Sequence, residues 1–111
     1  MGKYVSKGSN GHIRLNTGFE RLAAASEPPF TAIDIRPDGF TLRWFIEIFD
    51  GSRECPCEYP ATGGESYSAS HEKDGALLIK EVRSGGISSV ACFSKKEIQQ
   101  VLEELKELAI A

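Results

Sequence analysis

The hydrophobic pattern is clearest near the carboxy-terminal end of the chain. Ser94 and Glu97 have the spacing of a capping box, in which each side chain satisfies the other residue's backbone amide. The apolar residues that follow recur at intervals of three and four, the period of one helix face: Ile98, Val101, Leu102, Leu105 and Leu108. The pattern therefore predicts a long amphipathic helix that begins just after Ser94 and packs this apolar stripe on the core.

Further upstream, apolar residues alternate with polar ones, as in β-strands that bury one face. Short links that contain glycine or proline separate these segments and favour tight turns. The links at 37–39, 50–51 and 84–86 therefore predict three β-hairpins. The predicted strands are HIRL (12–15), TAIDIR (31–36), FTLRWFIEIF (40–49), RECPCEY (53–59), ALLIKEVR (76–83) and ISSVACF (87–93).

Composition predicts the remaining segments. Residues 1–11 are polar and glycine-bearing, which indicates a mobile arm. Residues 17–26 open on Thr17 with a glutamate three positions later, a second capping box, and predict a short helix. Residues 60–75 have few large aliphatic side chains and predict a long surface loop. Pro56 cannot donate to a β-ladder, so the strand that contains it is expected at a sheet edge.

Together these elements predict an α+β domain. An antiparallel sheet of about five strands would carry the short N-terminal helix and the long amphipathic C-terminal helix on one face. The 111 residues, 41% hydrophobic and 26% charged, suit a single domain over residues 1–111 with one core. No stretch is apolar enough for a signal peptide or a membrane span, so a soluble cytoplasmic protein with reduced thiols is expected.

The predicted strand 40–49 would have a second apolar face, because alternation places four residues opposite those that meet the helix: Arg43, Phe45, Glu47 and Phe49. Two phenylalanines on such a face need cover. The short helix or the long loop could supply it, as could a second copy of the chain. Single-stranded nucleic acid is a further alternative, with bases on the rings and phosphates on Arg36 and Arg43. The net charge of −3 argues against that alternative.

The cysteines and histidines give weak signals for chemistry. Cys55 and Cys57 would point the same way in a strand, and Cys92 with His71 would bring the ligands to the four of a structural zinc site. The spacing differs from that of usual zinc pairs, and Cys92 in its apolar strand is typical of a small buried side chain. No metal and no cofactor are therefore expected, although convergence of the four side chains stays open. His12 and His71 are both expected to face solvent.

These observations rank the functions. Motifs of nucleophilic catalysis and of phosphate loops are missing from the sequence, which disfavours an enzyme. The first hypothesis is a binding or regulatory module that forms a homodimer, or contacts another protein, through the face of Arg43, Phe45, Glu47 and Phe49. The alternative is a small-ligand binder or minor enzyme with a pocket under the 60–75 loop and with Tyr59, Tyr67 and His71 at its mouth. A single-stranded nucleic-acid binder is third.

Overall fold

A computed structural model describes residues 3–8, 11–18, 32–36, 38–60, 65–83 and 86–110. Runs of strands are each followed by a single helix in these ranges, and both sheets are antiparallel, which confirms the predicted α+β class. The elements in chain order are β1 (Val5–Lys7), β2 (Ile13–Leu15), β3 (Ile33–Ile35), α1 (Gly39–Asp50), β4 (Cys57–Pro60), β5 (Glu65–His71), β6 (Leu77–Arg83), β7 (Gly86–Phe93) and α2 (Ile98–Ile110). Both helices of the described chain are too short and too polar to cross a bilayer.

The strands form two sheets, where the sequence predicted a single sheet of about five strands. The first has the order β1-β2-β3 and the second the order β4-β5-β6-β7. Their buried side chains join one hydrophobic core, which the two helices complete. The predicted hairpin of 76–83 with 87–93 is confirmed as β6 and β7, where Leu77 lies opposite Phe93 and Ile79 opposite Ala91.

Residues 39–50 form a helix, so the predicted strand 40–49 and its flanking hairpin turns are wrong. Asp38 is the N-cap: its carboxylate accepts hydrogen bonds from the Thr41 amide at 2.8 Å and the Thr41 hydroxyl at 2.9 Å. These bonds, chiefly the one from the backbone amide, lower the pKa of Asp38. Gly51 ends the helix in the left-handed region at φ 83°. The turn residues read from the sequence are therefore helix caps.

The predicted C-terminal helix is confirmed as α2. The Ser94 amide donates to Glu97 Oε1 at 3.0 Å, and the Glu97 amide donates to Ser94 Oγ at 3.3 Å, so the capping box forms in both directions. Val101 and Leu105 are completely buried in the core, where α2 packs against α1. Ile98 and Leu108 are partly buried and pack against the same core.

The predicted mobile arm over residues 1–11 is wrong for its central part, because residues 5–7 form β1 and Tyr4 and Val5 are buried. Glu104 of α2 fixes this segment: its carboxylate accepts the amides of Lys3, Tyr4 and Val5 at 3.0, 2.8 and 2.8 Å. A carboxylate from a helix distant in sequence therefore accepts hydrogen bonds from backbone amides that a mobile arm would expose to solvent. The predicted helix 17–26 lies outside the described residues except at Thr17 and Gly18.

The predicted loop 60–75 is also wrong over residues 65–71, which form β5 inside the second sheet. Its residues alternate strictly. Tyr67 and Ala69 are buried on the core side, and the serines 66, 68 and 70 lie on the other side, half-buried. Small polar side chains are compatible with the outer face of an antiparallel sheet, so their abundance did not indicate a loop.

Candidate functional site

The four residues predicted to form a partner-binding face do not share a face. On α1, successive residues turn by about 100°, so positions that alternate in a strand are distributed around the helix. Phe45 and Phe49 are 0% and 4% exposed and pack in the core, whereas Arg43 is exposed. Glu47 is half-buried, and its carboxylate forms an ion pair with the Arg53 guanidinium at 2.6 Å. The homodimer stays a prediction, without the surface that motivated it.

The residues predicted at a pocket mouth are partly together. Tyr59 and Tyr67 are opposite each other on β4 and β5, with ring centroids 6.5 Å apart. Tyr67 is fully buried, and its hydroxyl donates to the Asp34 carbonyl at 2.7 Å. His71 lies exposed at the end of β5, four residues further along, as the sequence predicted for that side chain. The two tyrosines therefore belong to the core.

An aromatic cluster extends from these tyrosines to α1. The Trp44 ring lies 5.5 Å from Tyr59 and 5.0 Å from Phe45, and Phe45 meets Tyr67 edge to face at 5.0 Å. Trp44 is 2% exposed, and its indole Nε1 has no hydrogen-bond partner among the described residues. The cluster packs α1 on the inner face of the second sheet.

The outer face of the second sheet carries a pocket of about 380 Å³. Glu58, Ser68 and Lys80 lie in register across β4, β5 and β6 and define its centre. The described residues that line it are Pro56, Cys57, Glu58, Ser68, Ala69, Ser70 and Lys80. The register brings a carboxylate, a hydroxyl and an ammonium group to one surface, although they are distant in sequence.

The two charges of this pocket are not used by the rest of the described chain. Ion pairs in the described ranges include those of Glu47 with Arg53 and of Glu81 with Arg83, but none involves Glu58 or Lys80. Ser68 between them is short, so it leaves a gap between two long side chains. The pocket can therefore offer both charges to a bound molecule.

Two of the three cysteines pack next to the core from positions two apart in the chain. Cys55 and Cys57 are both half-buried there. Burial, together with the neighbouring Cys57 thiol, raises the pKa of Cys55 to about 11. Cys92 is buried in β7, as its apolar neighbours predicted. The described residues contain no group of three or more potential metal ligands, so within them Cys92 and His71 do not join this pair.

Two buried acidic residues, Glu81 and Glu104, were not predicted from the sequence. Glu81 is 2% exposed. Its carboxylate forms an ion pair with the Arg83 guanidinium at 2.8 Å and lies 3.5 Å from the Asp34 amide nitrogen. Its place in β6 gave a signal, because it continues the inward series of Leu77 and Ile79. Glu104 gave a similar signal, since it lies three positions after the buried Val101. Buried carboxylates in these positions join elements of the fold.

The histidines give a mixed outcome. His71 is exposed, but His12 is half-buried and its Nδ1 atom is enclosed without a hydrogen-bond partner in the described chain.

Comparison with known protein families, curated proteins and solved structures found no match to this chain. The function is therefore inferred from the geometry of the chain itself.

Proposed function

We propose that the protein is a non-enzymatic binding module and that the pocket of Glu58, Ser68 and Lys80 receives a small zwitterionic ligand, such as a free amino acid or a dipeptide. The observation that carries this proposal is the pair of opposite, unshared charges on either side of a short serine in a pocket of about 380 Å³. That volume lies within the range of small-molecule sites, roughly 300–1,000 Å³.

The spacing of the charges suits such a ligand. Neighbouring antiparallel strands place opposed Cα atoms about 4.5–5.5 Å apart, so the Cα atoms of Glu58 and Lys80 are separated by roughly 10 Å across Ser68. An amino group can approach the Glu58 carboxylate while a carboxylate approaches the Lys80 ammonium group. The hydroxyls of Ser68 and Ser70 are available for neutral polar atoms between the two ends.

The walls of the pocket also favour binding over a plain solvated surface. Lys80 is half-buried, and Pro56 adds an apolar residue to the lining. Charged groups that are partly removed from water interact more strongly with a ligand than fully solvated ones. The described residues that line the pocket include no histidine that could activate a serine. We therefore propose ligand binding without a covalent reaction.

The test is an NMR titration of the ¹⁵N-labelled protein with free amino acids and dipeptides. We expect saturable shifts in the amide signals of residues 57, 58, 68–70 and 80, because these surround the pocket. Lys80→Met and Glu58→Gln should each weaken binding about tenfold or more, since a hydrogen bond to a charged group contributes roughly 1.5–3 kcal/mol. Lys106→Met, on the exposed face of α2, is the matched control.

Two results would overturn the proposal. One is the absence of localised shifts with every zwitterion at millimolar concentration. The other is unchanged affinity in the Lys80→Met and Glu58→Gln double variant, which would mean that any binding uses a different surface.

A further inference from the structure

The register of three strands sets the distance between the two charged residues of the pocket. Glu58 lies opposite Ser68, and Ser68 lies opposite Lys80, so the three residues form one row across β4, β5 and β6. The middle residue of such a row exchanges backbone hydrogen bonds with only one of its two neighbours, so one Cα separation is about 5.5 Å and the other about 4.5 Å. The Cα atoms of Glu58 and Lys80 are therefore roughly 10 Å apart.

The charged ends of the two side chains keep most of this separation. Residues in one row of a sheet project to the same face and stand roughly perpendicular to it. Lys80 is half-buried, which limits how far its stem can lean across the surface. Among the described residues neither Glu58 nor Lys80 takes part in an ion pair, so the two charged ends do not meet each other above the short Ser68 side chain.

A ligand that contacts both ends must span the gap that remains between them. A hydrogen bond between a cationic donor and an anionic acceptor occupies about 2.7–2.9 Å. Two such bonds along roughly 10 Å leave about 4–5 Å between the ammonium nitrogen and the carboxylate oxygens of the ligand. An α-amino acid is shorter than this gap, since its nitrogen lies roughly 2.5 Å from its carboxylate carbon, and each added methylene extends the molecule by roughly 1.3 Å.

We infer, on the basis of the zwitterion pocket proposed above, that this row selects ligands by the distance between their charges and prefers β- and γ-amino acids to α-amino acids. Glu58 accepts the ammonium group, Lys80 donates to the carboxylate, and the methylenes lie over Ser68. An α-amino acid reaches only one of the two charged ends directly and loses the other contact. A much longer chain has to bend to fit, and fixing the bent conformation costs entropy.

The experiment is a titration of the ¹⁵N-labelled protein with an unbranched series: glycine, β-alanine, γ-aminobutyrate and ε-aminocaproate. All four carry the same two charges and no side chain, so the series varies the distance between the charges. We expect the dissociation constant to pass through a minimum at β-alanine or γ-aminobutyrate. Glycine should bind about tenfold more weakly or worse, the loss that corresponds to one hydrogen bond to a charged group.

Two controls test whether both ends of the ligand are used. γ-Aminobutyramide and butyrate each lack one charge of γ-aminobutyrate, and each should bind about tenfold more weakly than it does. The double variant of Glu58→Lys and Lys80→Glu exchanges the charges within the same row. It should prefer the same ligand length, because a zwitterion can bind in the reversed direction, and its amide spectrum shows whether it is folded.

The inference is overturned if glycine binds as tightly as β-alanine and γ-aminobutyrate, or if affinity rises steadily up to ε-aminocaproate, which would indicate apolar contact in place of charge spacing. A different preferred length in the folded double variant would overturn it as well. In all three cases localised shifts at the pocket would still support binding of zwitterions. Absence of localised shifts with the whole series and with dipeptides overturns the proposed function itself, so the two failures are distinguishable.

Discussion

Replacing Glu104 with alanine tests the attachment of the amino-terminal strand to the last helix. Oε1 of Glu104 accepts the amides of Tyr4 and Val5, each at 2.8 Å. Oε2 accepts the Lys3 amide at 3.0 Å and the Gln100 side chain at 2.9 Å. Glu104 is 5% exposed, so water cannot readily replace it.

The expected cost follows from the groups left behind. Alanine removes the carboxylate that accepts from the buried amides of Tyr4 and Val5, and the loss of such a hydrogen bond from a buried group costs about 1–3 kcal/mol. The Lys3 amide and the Gln100 side chain are less buried and can turn to water. We therefore expect Glu104→Ala to lower the free energy of unfolding by about 3–5 kcal/mol, a large part of the roughly 5–15 kcal/mol of an ordinary domain.

Urea denaturation at pH 7, followed by circular dichroism, measures this free energy. Glu104→Gln keeps one acceptor oxygen for the Tyr4 and Val5 amides, so it should cost less than alanine. We expect a loss of about 1–2 kcal/mol in the free energy of unfolding, because the new amide NH₂ would face the donors at Lys3 and Gln100. Glu103→Ala, on the exposed side of the same helix, is the control and should change stability by no more than about 0.5 kcal/mol.

The pH dependence gives an independent check. Burial alone would raise the pKa of Glu104, but hydrogen bonds from the Gln100 side chain and three backbone amides outweigh burial and lower it. The contribution of Glu104 to stability is therefore complete above its unfolded pKa of about 4.3 and is lost as the pH falls through the lower folded pKa. The stability difference between wild type and Glu104→Gln should be constant from pH 7 to about 5 and shrink below about 4. A cost under about 0.5 kcal/mol, or a difference that is independent of pH down to 3, would refute the reasoning.

Two further predictions test the core and one close backbone approach. Phe45→Asp should abolish the native circular dichroism spectrum, because Phe45 is 0% exposed, whereas Arg43→Asp on the exposed side of α1 should fold normally; equal stability of the two variants would contradict the packing of α1. Gly18→Ala should lower the free energy of unfolding, measured with urea, by about 1–3 kcal/mol. Its Cβ would meet the Glu97 carboxylate and lie 2.8 Å from the Cys92 carbonyl. Gly39→Ala, with nothing near its Cβ, should be neutral or stabilise α1 by up to about 1 kcal/mol, and a similar loss in both glycine variants would argue against the close approach at Gly18.

The helix α1 shows why part of the fold was mispredicted. Its buried positions are Thr41, Trp44, Phe45, Ile48 and Phe49, which follow helical spacing. The same segment is rich in aromatic and β-branched residues and also alternates, so two periods fit it, and residue preference favoured the strand. Asp38 and Gly51, the two caps, were the signals that could have decided between them. In α2 the period and the capping box agreed, and there the prediction was confirmed.

The candidate site was less accessible to sequence reasoning. Tyr59 and Tyr67, predicted at a pocket mouth, lie beside each other in the core, and the pocket with Glu58, Ser68 and Lys80 depends on the register of three strands. Register is a tertiary property, set by which faces are buried, and no local spacing in the sequence encodes it.

The bonds between Glu104 and the amides of residues 3–5 span 99 to 101 positions of the chain. During synthesis on the ribosome, β1 emerges long before the helix that satisfies its backbone, so this strand cannot reach its final environment until α2 has been made. Closing so long a segment is entropically expensive, which places the docking of β1 late in folding. A nascent chain stalled before residue 104 should therefore leave its amino-terminal strand open to proteases and chaperones, even where the hairpins of the second sheet have already formed.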